Sequence, residues 1–243
     1  MREALVIIPT YNEIENISAI TDAVMKLPEM FDLLIIDDNS PDGTASLVRQ
    51  KQEEYPGRIH LEEREGKQGL GTAYIHGFKW GLERGYEYIM EMDADFSHNP
   101  EDLPKLLNAC KEQHADMSIG SRYISGVNVV NWPMGRVLMS YFASAYVRMV
   151  TGTKLRDTTA GFVCYNRRVL EAINLDKIQF KGYAFQIEMK FKAYSRKFKI
   201  VEVPIIFINR RLGTSKMNSG IFGEAMFGVI KLKFQQLFSK NWI

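Results

Sequence analysis

Short apolar runs alternate with helical patterns along the first half of the chain, and this alternation constrains the fold more than any other feature. The runs ALVIIP at 4–9 and FDLLII at 31–36 lack the regular polar face of a half-exposed strand. Further strands are predicted at 58–61, 86–92 and 116–120, and helices at 15–26, 43–54, 71–84 and after Pro100. Apolar strands separated by helices predict an α/β fold, with a mostly parallel central sheet and helices on both faces.

The second half of the chain has a less regular pattern. The segment 137–150 is strongly apolar, and 219–238 has the pattern of a basic amphipathic helix. Between them we predict a strand at 163–165, helices at 167–173 and 185–194, and a strand at 200–208. Pro204 lies inside this last strand, which indicates a sheet edge or a bulge. We therefore predict one domain over 1–243, with an irregular C-terminal portion that faces a membrane.

Composition and charge limit the classes of protein to which the chain can belong. Its 243 residues are 46% hydrophobic and 25% charged, which is ordinary for a globular protein with a large core. A net charge of +2 argues against a nucleic-acid partner. Cys110 and Cys164 are far apart in the sequence, which argues against a disulfide framework and against a thiolate zinc site.

Neither a signal peptide nor a membrane-spanning segment is predicted. The sequence MREALVIIPTYNE at 1–13 enters a strand at once and leaves no room for the apolar core of a leader. Charged residues interrupt the apolar stretches 137–150 and 221–238 before they reach the length of a span. We expect a cytoplasmic protein that binds peripherally to the cytoplasmic face of a membrane, either alone or with a membrane-anchoring partner protein.

Acidic and polar clusters follow three of the predicted strands. TYNE at 10–13 follows the first strand, DDNS at 37–40 follows the second, and Asp93-Ala94-Asp95 follows the strand at 86–92. The carboxyl ends of parallel strands meet at the edge of the sheet where ligands bind, so we expect these clusters to converge. Carboxylates at such close quarters repel one another unless a cation or hydrogen-bond donors compensate.

Oxygen ligands without a cluster of histidines or cysteines favour Mg²⁺ or Mn²⁺. On an extended chain Asp93 and Asp95 face the same side, so both can reach one ion, or one ion together with a ribose. The predicted chemistry is a divalent ion that bridges the diphosphate of a nucleotide-activated substrate. The alternative is a structural role, because acidic residues also end strands and cap the helices that follow them.

Motifs along the chain resemble those of a known enzyme family. PTYNE at 9–13, DDNSPDGT at 37–44, GLGTA at 69–73 and DAD at 93–95 follow one another as in the family-2 inverting glycosyltransferases. Within that family the chain is similar to the dolichol- and polyprenol-phosphate mannosyltransferases. The motifs that carry this closer similarity are GSRY at 120–123, DTTAGF at 157–162, GYAFQIEM at 182–189 and RRLGTSK at 210–216. The resemblance covers nearly the whole chain.

This resemblance implies a GT-A (Rossmann-like) fold, a GDP-mannose donor and a polyprenyl phosphate acceptor. It also implies a nucleotide-sugar-binding half at 1–122 and an acceptor-binding half at 123–243. The residues expected at the donor are Pro9, Tyr11, Glu13, Ile36, Asp38, Asp93, Ala94, Asp95, Arg122, Arg210 and Lys216. Asp93 and Asp95 are the expected metal ligands. Ser97 stands where some relatives have glutamine, and its shorter side chain is a weaker ligand.

The expected mechanism depends on cations more than on a general base. Asp95, Arg122 and Arg210 are the candidate catalytic residues, because a bound metal ion and nearby cations would stabilise the departing diphosphate. An acceptor phosphate is already a dianion at pH 7, since its second pKa is about 6. Arg122 and Arg136 are the candidates to bind that phosphate, because a guanidinium matches phosphate oxygens. In-line attack would invert the α linkage of the donor and give a β-linked product.

Several residue roles stay open at the level of sequence. Glu188 is either a catalytic base or a structural residue of its helix, and His98 is either a turn residue or a ligand. The glycines of GKQGLGTA at 66–73 do not fit a dinucleotide fingerprint, and we expect them to permit close approach of the main chain to the donor sugar. The helix at 219–238 either lies on a membrane or packs on the protein's own core.

Two other functions compete with mannosyl transfer. The same scaffold would also serve a polyprenyl-phosphate glucosyltransferase that uses UDP-glucose. A non-catalytic receiver domain would hold Mg²⁺ at Asp37 and Asp38, and a nucleotide-binding protein without catalytic activity is a further alternative. A receiver is about half as long as this chain and needs neither the DAD motif at 93–95 nor the basic segment 210–216. The sequence therefore favours the enzyme.

Overall fold

The strands and helices are defined in a computed structural model, which describes residues 3–28, 30–182, 184–209, 221–238 and 242, with the main chain alone at 221–225. The strands are β1 (Ala4–Thr10), β2 (Phe31–Asp37), β3 (Ile59–Glu63), β4 (Tyr88–Glu91), β5 (Met117–Ser121), β6 (Val129–Val130), β7 (Val163–Asn166), β8 (Ile200–Pro204) and β9 (Phe207–Ile208). The α-helices are α1 (Ile14–Met25), α2 (Thr44–Glu54), α3 (Leu70–Glu83), α4 (Leu103–Lys111), α5 (Met134–Thr151), α6 (Arg167–Ala172), α7 (Ala184–Ser195) and α8 (Ile221–Phe238). Short 3₁₀ turns lie at Pro100–Asp102 and Leu175–Lys177.

Seven of the described strands form a central sheet in the order β3-β2-β1-β4-β7-β5-β8. Its pairs are parallel except for those of β7, which runs antiparallel to both β4 and β5. The mostly parallel sheet predicted from the apolar runs is confirmed. β1 lies between β2 and β4, with Thr10 paired to Asp37 and Ile7 paired to Glu91. The carboxyl ends of these three strands therefore lie side by side at one edge.

Apolar cores lie on both faces of the sheet, because successive side chains of a strand point to opposite sides. On β1, Leu5 and Ile7 face a core that includes residues of α3 and α7. Val6 and Ile8 face the other core, which includes residues of α1 and α4. The approach of α3 is close at Gly77, where a Cβ would lie 2.7 Å from Ile7 Cδ1. The prediction of helices on both faces is also confirmed.

The predicted strand at 200–208 is wrong in one respect, because it forms two strands in two different sheets. β8 ends at Pro204 and lies at the edge of the central sheet, as the proline indicated. β9 instead pairs with β6 in a separate ribbon, with Val129 opposite Phe207. A proline ends the regular ladder because it has no N–H to donate. β6 was not predicted, since two residues are too short to show a periodicity.

The helices α5, α7 and α8 meet at a small apolar cluster of Val147, Ile187 and Val229. The Tyr146 hydroxyl donates to the Met226 carbonyl at 2.9 Å and fastens α5 to α8. Among the helices that the structure describes, none has the length and apolar character needed to cross a bilayer.

Candidate active site

Each of the three neighbouring strand-end loops contains a non-glycine residue in the left-handed conformation. The angle φ is +55° at Asn12 after β1, +58° at Asn39 after β2 and +57° at Phe96 after β4. Asparagine tolerates this conformation because its short polar side chain bonds locally, whereas a bulky residue such as phenylalanine carries strain of about 1–3 kcal/mol. These residues turn the chain sharply and keep the three loops at the edge of the sheet.

Hydrogen bonds join the loops after β1 and β2. The main-chain N–H of Asn12 donates to Ser40 Oγ at 2.9 Å. The buried carboxylate of Asp37 accepts from Thr10 Oγ1 at 2.8 Å and from the Ser40 N–H at 2.8 Å. The buried Asp37 side chain therefore links the end of β1 to the loop after β2.

The buried carboxylate of Asp38 is compensated by Arg64, a residue that sequence reasoning missed. Arg64 Nε donates to Asp38 Oδ1 at 2.6 Å, and Arg64 Nη1 donates to Thr72 Oγ1 at 2.8 Å. Part of the charge compensation that the acidic edge needs thus comes from the protein itself. Nearby in sequence, Lys67 Nζ lies 5.3 Å from the centre of the Tyr11 ring. The segment 64–67 therefore places a cation beside each of two predicted donor residues.

The remaining predicted donor residues differ in what they can offer a ligand. Pro9 is half-buried near the end of β1, and Glu13 Oε2 accepts from Asn16 Nδ2 at 3.0 Å. The Ile36 side chain is fully buried and packs towards α3, so a ligand at the edge would meet its main chain only. Ala94 is also buried, and its methyl group belongs to the core on the opposite face.

The DAD loop after β4 holds its two aspartates in different surroundings. The Asp93 side chain is 38% exposed, whereas Asp95 is buried. Asp95 Oδ1 accepts the main-chain N–H of Ser97 at 3.0 Å. The N–H of Asp93 donates to His98 Nδ1 at 3.2 Å. Ser97 and His98 therefore support the two aspartates from the following turn.

The surroundings of His98 are those of a turn residue, one of the two roles that the sequence left open. Its ring is buried and stacks on Phe162 with centroids 4.8 Å apart. Burial lowers the pKa of His98 to about 4, so the imidazole is neutral at pH 7. Because Nδ1 accepts the Asp93 N–H, the proton of the neutral ring lies on Nε2. The imidazole therefore fixes the main chain of the DAD loop.

The DAD loop suits a metal ion that arrives together with a nucleotide. Within the ranges that the structure describes, no three acidic, histidine or cysteine side chains are grouped so that they would hold a metal ion by themselves. Asp93 and Asp95 offer carboxylate oxygens, the ligands that Mg²⁺ and Mn²⁺ prefer. An ion here needs further oxygens, which a diphosphate carries.

Arg122 follows β5 and is buried against Asp157. Its Nε donates to Asp157 Oδ2 at 2.7 Å, and its Nη2 donates to Oδ1 at 2.6 Å and to Thr159 Oγ1 at 2.8 Å. Burial alone would raise the pKa of Asp157, but the charge and hydrogen bonds of Arg122 outweigh burial and lower it. The guanidinium is therefore held in a fixed orientation by the DTTAGF segment, which the sequence marked as a motif without showing this contact.

Arg136, the second predicted phosphate ligand, lies in the first turn of α5. Its guanidinium carbon is 4.0 Å from the centre of the Trp132 ring, and its Nη1 donates to Asn209 Oδ1 at 3.1 Å. The Arg122 guanidinium lies over the same ring at 5.5 Å. The structure thus brings both arginines to one tryptophan. Arg210 and Lys216 lie outside the described residues.

The ribbon of β6 and β9 connects these arginines to the DAD loop. Phe207 on β9 meets His98 edge-on at 5.3 Å and Trp132 at 5.2 Å between ring centroids. The Ile208 N–H donates to the Ser97 carbonyl at 3.3 Å. An acidic loop and a pair of arginines are therefore neighbours at one edge of the sheet.

Glu188 has the structural surroundings that the sequence left open beside a catalytic role. It is fully buried on α7, and its Oε2 accepts the N–H groups of Gln179 and Phe180 at 2.9 and 3.1 Å. Its Oε1 lies 3.2 Å from Lys192 Nζ. Glu188 therefore holds the segment that leads into α7.

A buried polar network behind the DAD loop was also missed. Gln186 Nε2 donates to Glu91 Oε2 at 2.6 Å, and Lys190 Nζ donates to Gln186 Oε1 at 2.9 Å and to the Ala160 carbonyl at 2.6 Å. Burial raises the pKa of Glu91 to about 8 and lowers that of Lys190 to about 8. The polar residues on α7 were the available signal, since a buried helix rarely carries charge without a partner.

Two glycines of GKQGLGTA, Gly69 and Gly71, lie against the protein's own chain, and their expected approach to the donor sugar stays a prediction. A Cβ at Gly69 would lie 3.1 Å from the Lys181 carbonyl oxygen. A Cβ at Gly71 would lie 2.8 Å from Phe185 Cγ and 3.0 Å from the Phe180 carbonyl oxygen. Gly69 and Gly71 therefore permit close packing of the start of α3 against Phe180, Lys181 and Phe185.

Comparisons with known proteins define the class of this one. Residues 5–173 match the family model described as Glycosyl transferase family 2. Polyprenol monophosphomannose synthase of Mycolicibacterium smegmatis is 47% identical over 94% of this chain and 86% of its own length. Undecaprenyl-phosphate mannosyltransferase of Micrococcus luteus is 48% identical over 93% of this chain and 92% of its own length. The chain belongs to glycosyl transferase family 2.

Solved structures are similar to this chain in fold. Glucosyl-3-phosphoglycerate synthase of Mycobacterium tuberculosis, in complex with Mn²⁺, UDP and glucosyl-3-phosphoglycerate, gives a TM-score of 0.67 at 15% identity. Its complex with Mn²⁺, UDP-glucose and phosphoglyceric acid gives 0.68 at 15% identity. Each match covers 96% of this chain and 79% of the other. The GT-A fold that the motifs implied is thereby confirmed.

Proposed function

We propose that this glycosyltransferase transfers mannose from GDP-mannose to the phosphate of a polyprenyl phosphate, with inversion to a β linkage. The names of the two relatives support the sugar and the acceptor, because both names join mannose to a polyprenol or undecaprenyl phosphate. The observation that carries the proposal is the junction of the DAD loop with two arginines at one edge of the sheet. One side suits a nucleotide diphosphate, and the other suits a second phosphate.

On the donor side, Asp38 and Tyr11 recognise the nucleoside with Pro9, Glu13 and the main chain of Ile36. Asp93 and Asp95, with the main chain of Ala94, would hold Mg²⁺ or Mn²⁺ together with the donor diphosphate. Such an ion, when bound, supplies positive charge to the leaving diphosphate. Arg210 and Lys216 are proposed to add charge there on the basis of their motif. The division into a donor half at 1–122 and an acceptor half at 123–243 is part of this proposal.

On the acceptor side, Arg122 and Arg136 orient the phosphate for in-line attack on the anomeric carbon. The phosphate needs no general base, since its second pKa of about 6 makes it a dianion at pH 7. The structural role of Glu188 supports a mechanism without one. Asp157 contributes by holding Arg122 rigid, which avoids the cost of reorganisation during the reaction.

The acceptor's lipid tail requires the enzyme to work at a membrane, and α5 and α8 offer a surface for it. Their strongly exposed apolar side chains are Met134, Leu138, Met139, Tyr141, Phe142, Met149, Met226, Phe227, Ile230, Phe234, Leu237 and Phe238. We call these residues the α5–α8 surface. Extraction of a long isoprenoid chain from a bilayer would cost about 0.8 kcal/mol per CH₂ group.

We propose that this surface rests on the cytoplasmic face of a membrane. Lys231 is exposed beside it on α8 and suits the anionic lipids of that leaflet. The two interpretations of the C-terminal helix, packing on the protein's own core and lying on a membrane, both have support. Val229 and Leu232 are buried in the protein, whereas Phe227 and Phe234 are exposed.

The decisive experiment is a donor screen with the full-length enzyme. Labelled GDP-mannose or UDP-glucose is supplied with a polyprenyl phosphate in anionic liposomes, and the lipid product is isolated and its anomeric configuration is read by NMR. We expect β-linked mannosyl lipid, with activity lost in excess EDTA and restored by Mg²⁺ or Mn²⁺.

Each arm of this screen has an outcome that contradicts part of the proposal. A glucosyl lipid from UDP-glucose in place of the mannosyl lipid would establish the competing function. Undiminished transfer in excess EDTA would show that the reaction does not need a metal ion. If the enzyme binds to liposomes only after a membrane extract is added, it does not dock directly, and a membrane-anchoring partner protein is required.

A further inference from the structure

We infer that Trp132 and Asn209 are positioning residues that hold the guanidinium of Arg136 in the acceptor-phosphate site. The inference rests on the proposed function, in which Arg136 binds the phosphate of the lipid. It adds two residues that none of the motifs singled out.

Two contacts of different kinds fix the guanidinium of Arg136. The ring of Trp132 lies under it at 4.0 Å, within the range of a cation–π contact. Asn209 Oδ1 accepts from its Nη1 at 3.1 Å. The ring limits displacement along its normal, and the hydrogen bond sets rotation in the plane. A planar group held in both ways is ready to meet phosphate oxygens without losing further side-chain freedom.

Both supports are themselves fixed by the β6–β9 ribbon. Asn131 has φ of +60°, which turns the chain between β6 and Trp132. Phe207 meets the Trp132 ring edge-on at 5.2 Å. The N–H of Asn209 donates to the Val130 carbonyl at 3.0 Å, so this residue is tied to the opposite strand of the ribbon. Trp132 and Asn209 therefore belong to one small unit.

The same unit contacts the donor side of the site. Phe207 meets His98 at 5.3 Å, and the Ile208 N–H donates to the Ser97 carbonyl at 3.3 Å. A short series of contacts therefore sets the position of Arg136 relative to the DAD loop. Because Phe207 and Ile208 make these contacts and stay in place in the variants, loss of Trp132 or Asn209 should impair use of the acceptor and leave the binding of the donor unchanged.

The chain offers a matched control for the arginine–tryptophan contact. Arg84 lies over the ring of Trp80 at 3.8 Å, at the end of α3 and remote from the strand-end loops. Arg84→Ala removes a contact of the same kind without touching the proposed site.

The experiment compares Trp132→Leu, Trp132→Phe, Asn209→Ala and Arg136→Ala with the wild type and with Arg84→Ala. The KM for donor and acceptor is measured, and the Kd of a short-chain prenyl phosphate is measured by calorimetry without donor. Trp132→Leu should weaken acceptor binding about 3- to 30-fold, and Asn209→Ala about 3- to 10-fold. Trp132→Phe retains an aromatic face and should stay closer to wild type than Trp132→Leu. Arg84→Ala should match the wild type, and the donor KM should not change in any variant.

A double variant separates positioning from a merely structural role. If Trp132 acts mainly through Arg136, most of the loss of acceptor binding caused by Trp132→Leu should disappear once Arg136 is alanine, and only the part that comes through Arg122, 5.5 Å from the ring, should remain. Additive losses would overturn the inference, as would wild-type acceptor binding by Trp132→Leu or an equal rise in donor KM. Circular dichroism identifies a variant that does not fold, and Asn209→Ala then carries the test against Arg136→Ala in the same way.

The calorimetric measurement keeps this inference distinct from the proposed function. A wild-type enzyme that binds prenyl phosphate but transfers no mannose would refute the function, and the variants would still test the positioning of Arg136. A wild-type enzyme that binds no prenyl phosphate would overturn both.

Discussion

The loops at the edge of the sheet and the α5–α8 surface differ in the kind of side chain that they bury and the kind that they expose. In the loops that follow β2 and β5, the charged groups of Asp38 and Arg122 are buried and hydrogen-bonded to Arg64 and Asp157 at 2.6–2.7 Å. On the α5–α8 surface, large apolar side chains are exposed, including Phe227 at 79% and Met149 at 77%. A rigid polar site suits a small charged ligand of defined shape, whereas a broad apolar surface suits a partner without fixed shape.

One helix takes part in both regions. Arg136 lies in the first turn of α5, beside the predicted phosphate site, and the exposed residues Leu138, Phe142 and Met149 follow on the same helix. Consecutive turns of this helix would therefore meet the headgroup and the tail of a lipid acceptor. Substitutions in the polar site should therefore affect the transfer reaction, and substitutions on the α5–α8 surface should affect membrane binding.

The largest effect is expected from Asp95→Asn, which alters the polar region and leaves the apolar one intact. Asparagine keeps an oxygen for the Ser97 N–H but removes the negative charge. We expect kcat/KM to fall about 10³-fold, because charge stabilisation at the leaving diphosphate is lost. Steady-state transfer measures the effect on the polar site, and liposome flotation measures the effect on membrane binding. Asp176→Asn, at an exposed ion pair with Lys79, is the control and should change neither. Reduced flotation of Asp95→Asn would show that the regions are not independent.

Asp157→Asn tests how far the polar region depends on buried ion pairs. Loss of the carboxylate removes the bidentate ion pair of the buried Arg122, and should lower the free energy of unfolding by about 3 kcal/mol at pH 7. The folded-state pKa of Asp157 is lowered, so its stabilisation is present above the unfolded value of about 3.9 and is lost as the pH falls through the folded value. Urea unfolding at pH 7 and pH 3 should show a smaller difference in acid. An equal difference at both pH values would contradict the ion pair.

The paired change Phe227→Ser and Phe234→Ser alters the apolar region alone. Both side chains are strongly exposed, so the fold should persist while affinity for anionic vesicles falls roughly 30-fold, or about 2 kcal/mol. Vesicle flotation measures the affinity, and transfer to a detergent-solubilised acceptor should be retained. Met30→Ser, at a residue 70% exposed just before β2, is the matched control. If Met30→Ser has the same effect, the α5–α8 surface is not the docking site.

The smallest effect is expected from Lys231→Gln. One cation near an anionic surface contributes about 1 kcal/mol, so binding should weaken about fivefold on anionic vesicles and remain unchanged on neutral ones. Added salt should reduce the difference, because it screens exposed charges. Co-sedimentation at two salt concentrations checks this expectation. A difference that persists on neutral vesicles would assign Lys231 a role in folding.

Most of the central sheet was predictable because its strands are continuous apolar runs with polar ends. β1 and β2 match their predicted bounds to within a residue at each end, since a register of buried side chains extends along the whole run. β6 and β9 were not predictable as a pair, because two residues carry no period and their pairing depends on residues 78 positions apart in sequence. Arg64 was missed for a similar reason, since it contacts Asp38 across 26 positions.

The amino-acid sequence by itself determined the mostly parallel sheet, the convergence of the acidic loops at its edge and the apolar character of two long helices. These features depend on local patterns of burial and charge, which neighbouring residues express together. Only the tertiary structure decided that Arg122 pairs with Asp157, that Arg136 rests on Trp132 and Asn209, and that α8 presents one apolar face inward and another outward. Such contacts join residues that are distant along the chain, and the free energy of each pair depends on the fold that brings them together.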